Sequence, residues 1–208
     1  ELGCHSFEHR LIYDITPETF AEDLERALDA IQSASGQPVT VYRAPSFSIT
    51  PDSVWALDIL AEHGITVDSS VFPIRHDRYG FPGAPVAPYR PSRRHPTLVE
   101  VPPSTIDLLG RTLPCAGGGY LRLAPLKFTL WALRRIEDQG RSGVIYIHPW
   151  ELDPEQPRLP MSRLRLRRHR VGLSRTADRL GSLFQKHRLG TISDVASPAA
   201  RPLVVGVD

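Results

Sequence analysis

Apolar residues recur at Phe20, Leu24, Ala27, Leu28 and Ile31, the spacing of one helical face, which predicts an amphipathic helix over 17–34. Thr16 suits its N-cap, Pro17 its first position and Gly36 its end. Thr50-Pro51 repeats that start signal and predicts a second helix over 51–63, closed by Gly64. Short β-branched runs predict strands at 39–43 (VTVYR), 65–68 (ITVD) and 97–102 (TLVEVP). The most apolar run, GVIYIHP at 143–149, predicts another, and GTISDV at 190–195 a last one. Helices are expected over 125–139, closed by Gly140, and over 175–188. Helices alternating with strands argue for a mostly parallel α/β sheet.

Polar residues stand where the predicted strands end: Arg43, Asp68 and His148. In barrel-like α/β folds the carboxyl ends of the strands converge on one face, where chemistry is done. The 20 prolines cluster in 73–103 and 149–160, which read as long irregular loops, and such loops often carry function. One domain over 1–195 is expected, with 196–208 a flexible tail.

Composition narrows the class. At 208 residues, 41% hydrophobic and 23% charged, the chain can fill the core of one soluble domain. A net charge of +2 does not mark the whole molecule as a polyanion binder. Cys4 and Cys115 form no C-x-x-C pattern and leave the redox compartment open. No stretch is long enough to span a bilayer, and no signal peptide is visible in a chain that begins at Glu1 without methionine.

Six local patterns could carry chemistry. His5 and His9 are four apart, so on a helical turn one metal ion could bridge them; otherwise they are solvent-facing loop histidines. Cys4 would point away from them, into a core. Arg43 either orients a carboxylate through a forked hydrogen bond or simply ends a strand. Asp68 either orients a histidine or caps the next turn. His148 ends a buried run before Pro149 and Trp150, which suits a general acid, or a core histidine bonded to backbone. Glu151 and Asp153 follow it, a common pattern after a strand. GGGY (117–120) lacks the lysine and preceding strand of a phosphate loop and reads as a flexible or closely approached loop. The basic run RLRLRRHR (163–170) is a solvated face, or meets an acidic polysaccharide, a membrane surface or nucleic acid. Its leucines and lack of aromatics argue against a nucleic-acid platform.

Taken together, ELGCHSFEHRLIYDITPETFAEDL, YRAPSFSI, DSSVFPIRHDRYG, LPCAGGGYLRL and YIHPWELDPEQPR resemble polysaccharide deacetylases of the NodB-homology type. They resemble most the subfamily of bacterial exopolysaccharide loci with exosortase systems. The resemblance runs from Glu1 to about Val195. It implies an α/β fold, a deformed (β/α) barrel, here without its first strand. It implies a divalent metal, zinc by preference, held by His5 and His9. Arg43 would hold the catalytic base and His148 would be the general acid. A backbone N–H near Ser46 would stabilise the oxyanion, with Asp68 and Trp150 as further substrate-side residues. The reaction implied is removal of N-acetyl groups from an N-acetylhexosamine-containing exopolysaccharide. The family's aspartates, base and third metal ligand, are expected upstream of Glu1, so this chain alone should be inactive. An Asp-Trp pair found in other members is replaced by DSSVF, which leaves the partner of His148 open. The implied partners are an acetylated polysaccharide and exopolysaccharide synthesis or export machinery, with no nucleic acid; cytoplasm and periplasm both stay open. Two rival readings are a hydrolase of another linear or cyclic amide, and a non-catalytic saccharide-binding module.

Overall fold

In the computed structural model, which describes residues 1–158, 160–197 and the backbone of 204–205, helix α1 runs Pro17–Ser35. Thr16 Oγ1 accepts the Thr19 N–H at 3.3 Å, and Gly36 closes the helix at φ 70°. The face predicted from spacing is the buried one: Phe20, Leu24 and Ala27 lie in the core, with Leu28 and Ile31 against it. The chain divides into two compact units, Glu1–Pro103 with Ile192–Pro198, and Ser104–Thr191 with Ala199–Asp208. Residues 1–195, expected as one domain, thus contribute to both.

The first unit is built on three parallel strands in the order β1 (Val41–Tyr42), β2 (Val67–Asp68), β3 (Val99–Glu100). Each lies inside a predicted run. Tyr42 pairs with Asp68, and Asp68 with Glu100. Cys4 joins the other side of β1: its N–H donates to Val41 O at 2.8 Å and its carbonyl accepts from Arg43 N–H at 3.0 Å. Cys4, Tyr42, Asp68 and Glu100 therefore form one row, and His5, Arg43, Ser69 and Val101 follow at the carboxyl ends. A 3₁₀ turn at Pro51–Ser53 precedes helix α2 (Ala56–Glu62), so the predicted 51–63 helix is split. Helices α1 and α2 pack together, and Phe20, Leu24, Tyr42, Ile49, Leu60, Ile65 and Leu98 fill the core. Burying such side chains contributes about 1.5–3 kcal/mol each.

The run 190–195 is not the expected strand. Its residues Ile192–Ala196 form a helix against β2. Ile192 and Val195 are both buried, which a helical face allows at spacing three and a strand does not. The Glu1 carboxylate accepts the Ile192 N–H at 3.1 Å, at the start of this helix.

The second unit opens with a hairpin that the pattern did not predict, β4 (Thr105–Leu108) paired antiparallel with β5 (Arg111–Pro114). Leu109 and Gly110 turn it, both with positive φ, as in a two-residue hairpin loop. Helices α3 (Gly118–Leu123) and α4 (Leu126–Asp138) follow. GGGY is thus a helix start as well as a closely approached segment: a Cβ on Gly117 would stand 2.3 Å from the Tyr146 ring. Of the strand expected over 143–149, only Gly143–Val144 (β6) pairs, with β7 (Val204–Val205). Those two residues belong to the expected tail; 198–203 and 206–208 lie outside the described residues. The basic run is helix α5 (Arg163–Arg170), and α6 (Thr176–Lys186) completes the unit. Ile106, Leu121, Leu133, Ile136, Ile147 and Leu183 form its core.

The expected barrel does not close among the described residues. The strands form separate sheets of three, two and two, and most are two residues long, too short to carry hydrogen bonding round a ring. The fold is mixed α/β.

Candidate functional site

The histidine pair sits on a loop, not on the helical turn that its spacing allowed. Ser6 and His9 adopt left-handed φ values of 65° and 55°, and these bends bring the two imidazole centroids to 5.0 Å. The loop is held from α1. Asp23, 7% exposed, accepts the Phe7 and Glu8 backbone N–H groups at 2.8 Å each. The Ser6 hydroxyl meets the Tyr42 hydroxyl at 2.7 Å. Asp23 was not singled out from sequence, although an acid on the apolar face of α1, beside Phe20 and Leu24, was a readable signal.

Arg43 follows β1 and is brought to His5: the His5 Nδ1 lies 2.6 Å from the Arg43 carbonyl. A carbonyl only accepts, so Nδ1 carries the proton and the ring's lone pair lies on Nε2. The Arg43 guanidinium is held by Ser69, through Nε to the carbonyl at 3.0 Å and Nη2 to the hydroxyl at 2.8 Å. Ser69 in turn donates to Val101 O at 2.7 Å. Ser46 is exposed and left-handed at φ 54°; Phe47, left-handed at 53° but buried, lies beneath the Arg43 guanidinium. Two successive non-glycine residues in this region store backbone strain.

Asp68 is fully buried. Its Oδ1 accepts from the Ser70 hydroxyl, which accepts the Ala44 N–H at 2.8 Å. Its register partner Glu100 is equally buried and accepts the Val71 N–H at 3.0 Å. Burial, then the adjacent Asp68 carboxyl, pushes Glu100 well above the usual carboxylate range, and burial also raises Asp68. Two carboxyls so placed oppose each other's ionisation.

His148 and Trp150 belong to the second unit. His148 Nδ1 lies 3.0 Å from Glu151 Oε1, which also accepts the His148 backbone N–H at 3.0 Å. Glu151 is fully buried, and its Oε2 takes the Arg122 Nε–H at 2.6 Å. Arg122 donates further to the His169 and Val171 carbonyls at 2.9 and 2.8 Å. Burial alone would raise the Glu151 pKa; the hydrogen bonds from His148 and Arg122 outweigh it and hold the group below the usual value. Trp150 stacks between His148 and His169, with ring centroids 5.7 and 4.5 Å away. Gln156 accepts from His169 Nε2 at 2.7 Å and donates to Trp150 O at 2.9 Å. Glu151 had been weighed only as one of two acids after a strand, and Arg122 not at all.

A histidine whose Nδ1–H is anchored on a carbonyl, as that of His5 is, would bind a metal ion through Nε2, and the His9 ring lies beside it. No group of three or more histidine, cysteine and carboxylate side chains suited to a metal occurs among the described residues. Cys4 is buried in the first core, its thiol pushed up to about 11 by desolvation, which fits packing and not ligation. Among the described residues no helix is long and apolar enough to cross a membrane.

Two family models match the chain in succession: that of the polysaccharide deacetylases over residues 1–67, and that of a domain of unknown function, DUF3473, over residues 69–197. No curated protein matches it. A similar solved structure is that of a Mycobacterium smegmatis protein provisionally named a polysaccharide deacetylase. The TM-score is 0.59 at 16% identity, with 99% of this chain and 66% of that one covered, which speaks for the fold alone.

Proposed function

The chain belongs to the DUF3473 family, and from that premise, with its deacetylase-type residues 1–67, we propose that it serves a metal-dependent hydrolase of N-acetyl groups on an N-acetylhexosamine-containing exopolysaccharide. The observation that carries this reading is the junction of His5, His9 and Arg43 at the carboxyl ends of parallel strands, the edge at which α/β folds do chemistry. That sheet is read as an arc of a deformed (β/α) barrel.

His5 and His9 would hold the ion, zinc by the nitrogen character of the pair. When bound, such an ion polarises an amide carbonyl and makes water more acidic. Arg43, anchored on Ser69, presents a fixed cation to a carboxylate. The exposed bend at Ser46 offers a backbone N–H to the developing oxyanion. His148 supplies the proton that the departing sugar amine needs, with Trp150 as an apolar wall beside it. Arg163, Arg165, Arg167 and Arg168 are exposed on α5, with no ion pair to them among the described residues, which favours an acidic polymer.

The test is acetate release from N-acetylglucosamine oligomers by the protein in its full reading frame, with and without zinc. Release is expected with metal only, and His148→Ala should lower it by about 10²–10⁴-fold. A zinc-loaded protein that binds saccharide without releasing acetate would be a binding module; cleavage of a different amide would move the substrate.

A further inference from the structure

We propose that Glu151 is the positioning residue of His148, fixing Nδ1 as the permanent proton carrier so that Nε2 delivers the proton, and that Arg122 keeps Glu151 anionic for this task. The assignment rests on His148 as proton donor in the reading above. It gives the DUF3473 part of the chain its own proton-transfer device, built wholly from the second unit.

Three features single out Glu151. It is buried with 0% exposure, yet each carboxylate oxygen is met by a donor: Oε1 by the His148 ring and backbone, Oε2 by Arg122. Arg122 is itself pinned by two backbone carbonyls, so the carboxylate cannot swing away. The His148 side chain remains 43% exposed, so the ring is anchored at Nδ1 while part of it faces solvent. Asp153, the other nearby acid, is exposed and accepts the Glu155 N–H, so it does not compete. Asp68 is engaged by Ser70 and paired with Glu100, as described.

The chemistry follows from the tautomer. An anion at Nδ1–H raises the proton affinity of the ring, so imidazolium persists to higher pH. When the amide C–N bond breaks, its electron pair goes to nitrogen and the Nε2 proton goes with it. The ring is left neutral with Nδ1–H still on Glu151, ready to be recharged at Nε2. A histidine held the other way round would lose its proton from the wrong nitrogen.

The experiment is NMR of the His148 ring nitrogens across pH in the wild-type protein and in E151Q, together with acetate release. In the wild type, Nδ1 should stay protonated and Nε2 should titrate. In E151Q the midpoint should fall by about one unit or more, because the anion is gone. R122Q should move it less than E151Q does. The pH profile of acetate release should move with the midpoint. A wild-type ring that loses its proton from Nδ1, or an identical midpoint in E151Q, overturns the proposal. If E151Q does not fold, the wild-type tautomer decides alone. If the tautomer is as stated and no acetate is released, the pairing stands and the deacetylase reading falls.

Discussion

The two units bury carboxylates in opposite ways. In the first, Asp68 and Glu100 stand side by side on adjacent strands, and burial with like charge pushes Glu100 up. In the second, Glu151 is just as buried but faces Arg122 and His148, and is held down. Two carboxyls without exposed surface thus shift in opposite directions, because the partner decides whether ionisation is opposed or supported. Strain is divided as well. The left-handed non-glycine residues of the first unit, Ser6, His9, Ser46 and Phe47, gather around the candidate site; the second has Leu109, in a hairpin turn. The first unit adds bent backbone to the hydrogen bonds of Asp23 and Ser69, whereas the second relies on buried ionic hydrogen bonds.

The sharpest way to break the comparison is Arg122→Ala. It leaves Glu151 buried and uncompensated, so the second unit should lose about 3–5 kcal/mol in chemical denaturation. A loss under 1 kcal/mol would mean that the carboxylate is already solvated. Glu100→Gln removes a charge that the fold disfavours, and should be neutral or stabilising.

A smaller effect separates the units by pH. Glu100 has a folded pKa above the ordinary 4.5, so its contribution is complete below that value and is lost as pH rises through the folded pKa. Glu151 has a folded pKa below 4.5, so its contribution is present above that value and is lost as pH falls through the folded one. Hydrogen exchange should therefore show the first unit loosening as pH rises, a trend that E100Q flattens, and the second loosening in acid. Parallel pH trends in both units would erase the distinction. The smallest expected change is Ser46→Gly. Relief of the left-handed bend should stabilise the first unit by up to about 1 kcal/mol in thermal melts, less the entropy glycine adds to the unfolded chain. A loss instead would mean that the bend is not strained.

The sequence by itself determined the local parts. Helix 17–34 was readable because its cap, proline, apolar face and closing glycine act within a few residues, and α1 runs Pro17–Ser35. The runs that hold β1, β2 and β3 were legible from β-branched residues, and the likeness of residues 1–67 to polysaccharide deacetylases from the histidine and arginine motifs. The tertiary structure alone decided which groups meet. Asp23 reaches the Phe7 N–H across 16 positions, Asp68 meets Glu100 across 32, and Arg122 meets Glu151 across 29. No short-range pattern encodes such pairs, because their energy is realised only once the chain has folded and water has left. The same reason put a helix, Ile192–Ala196, where a strand over 190–195 was expected: which residues must face the core beside β2 outweighed a weak local preference.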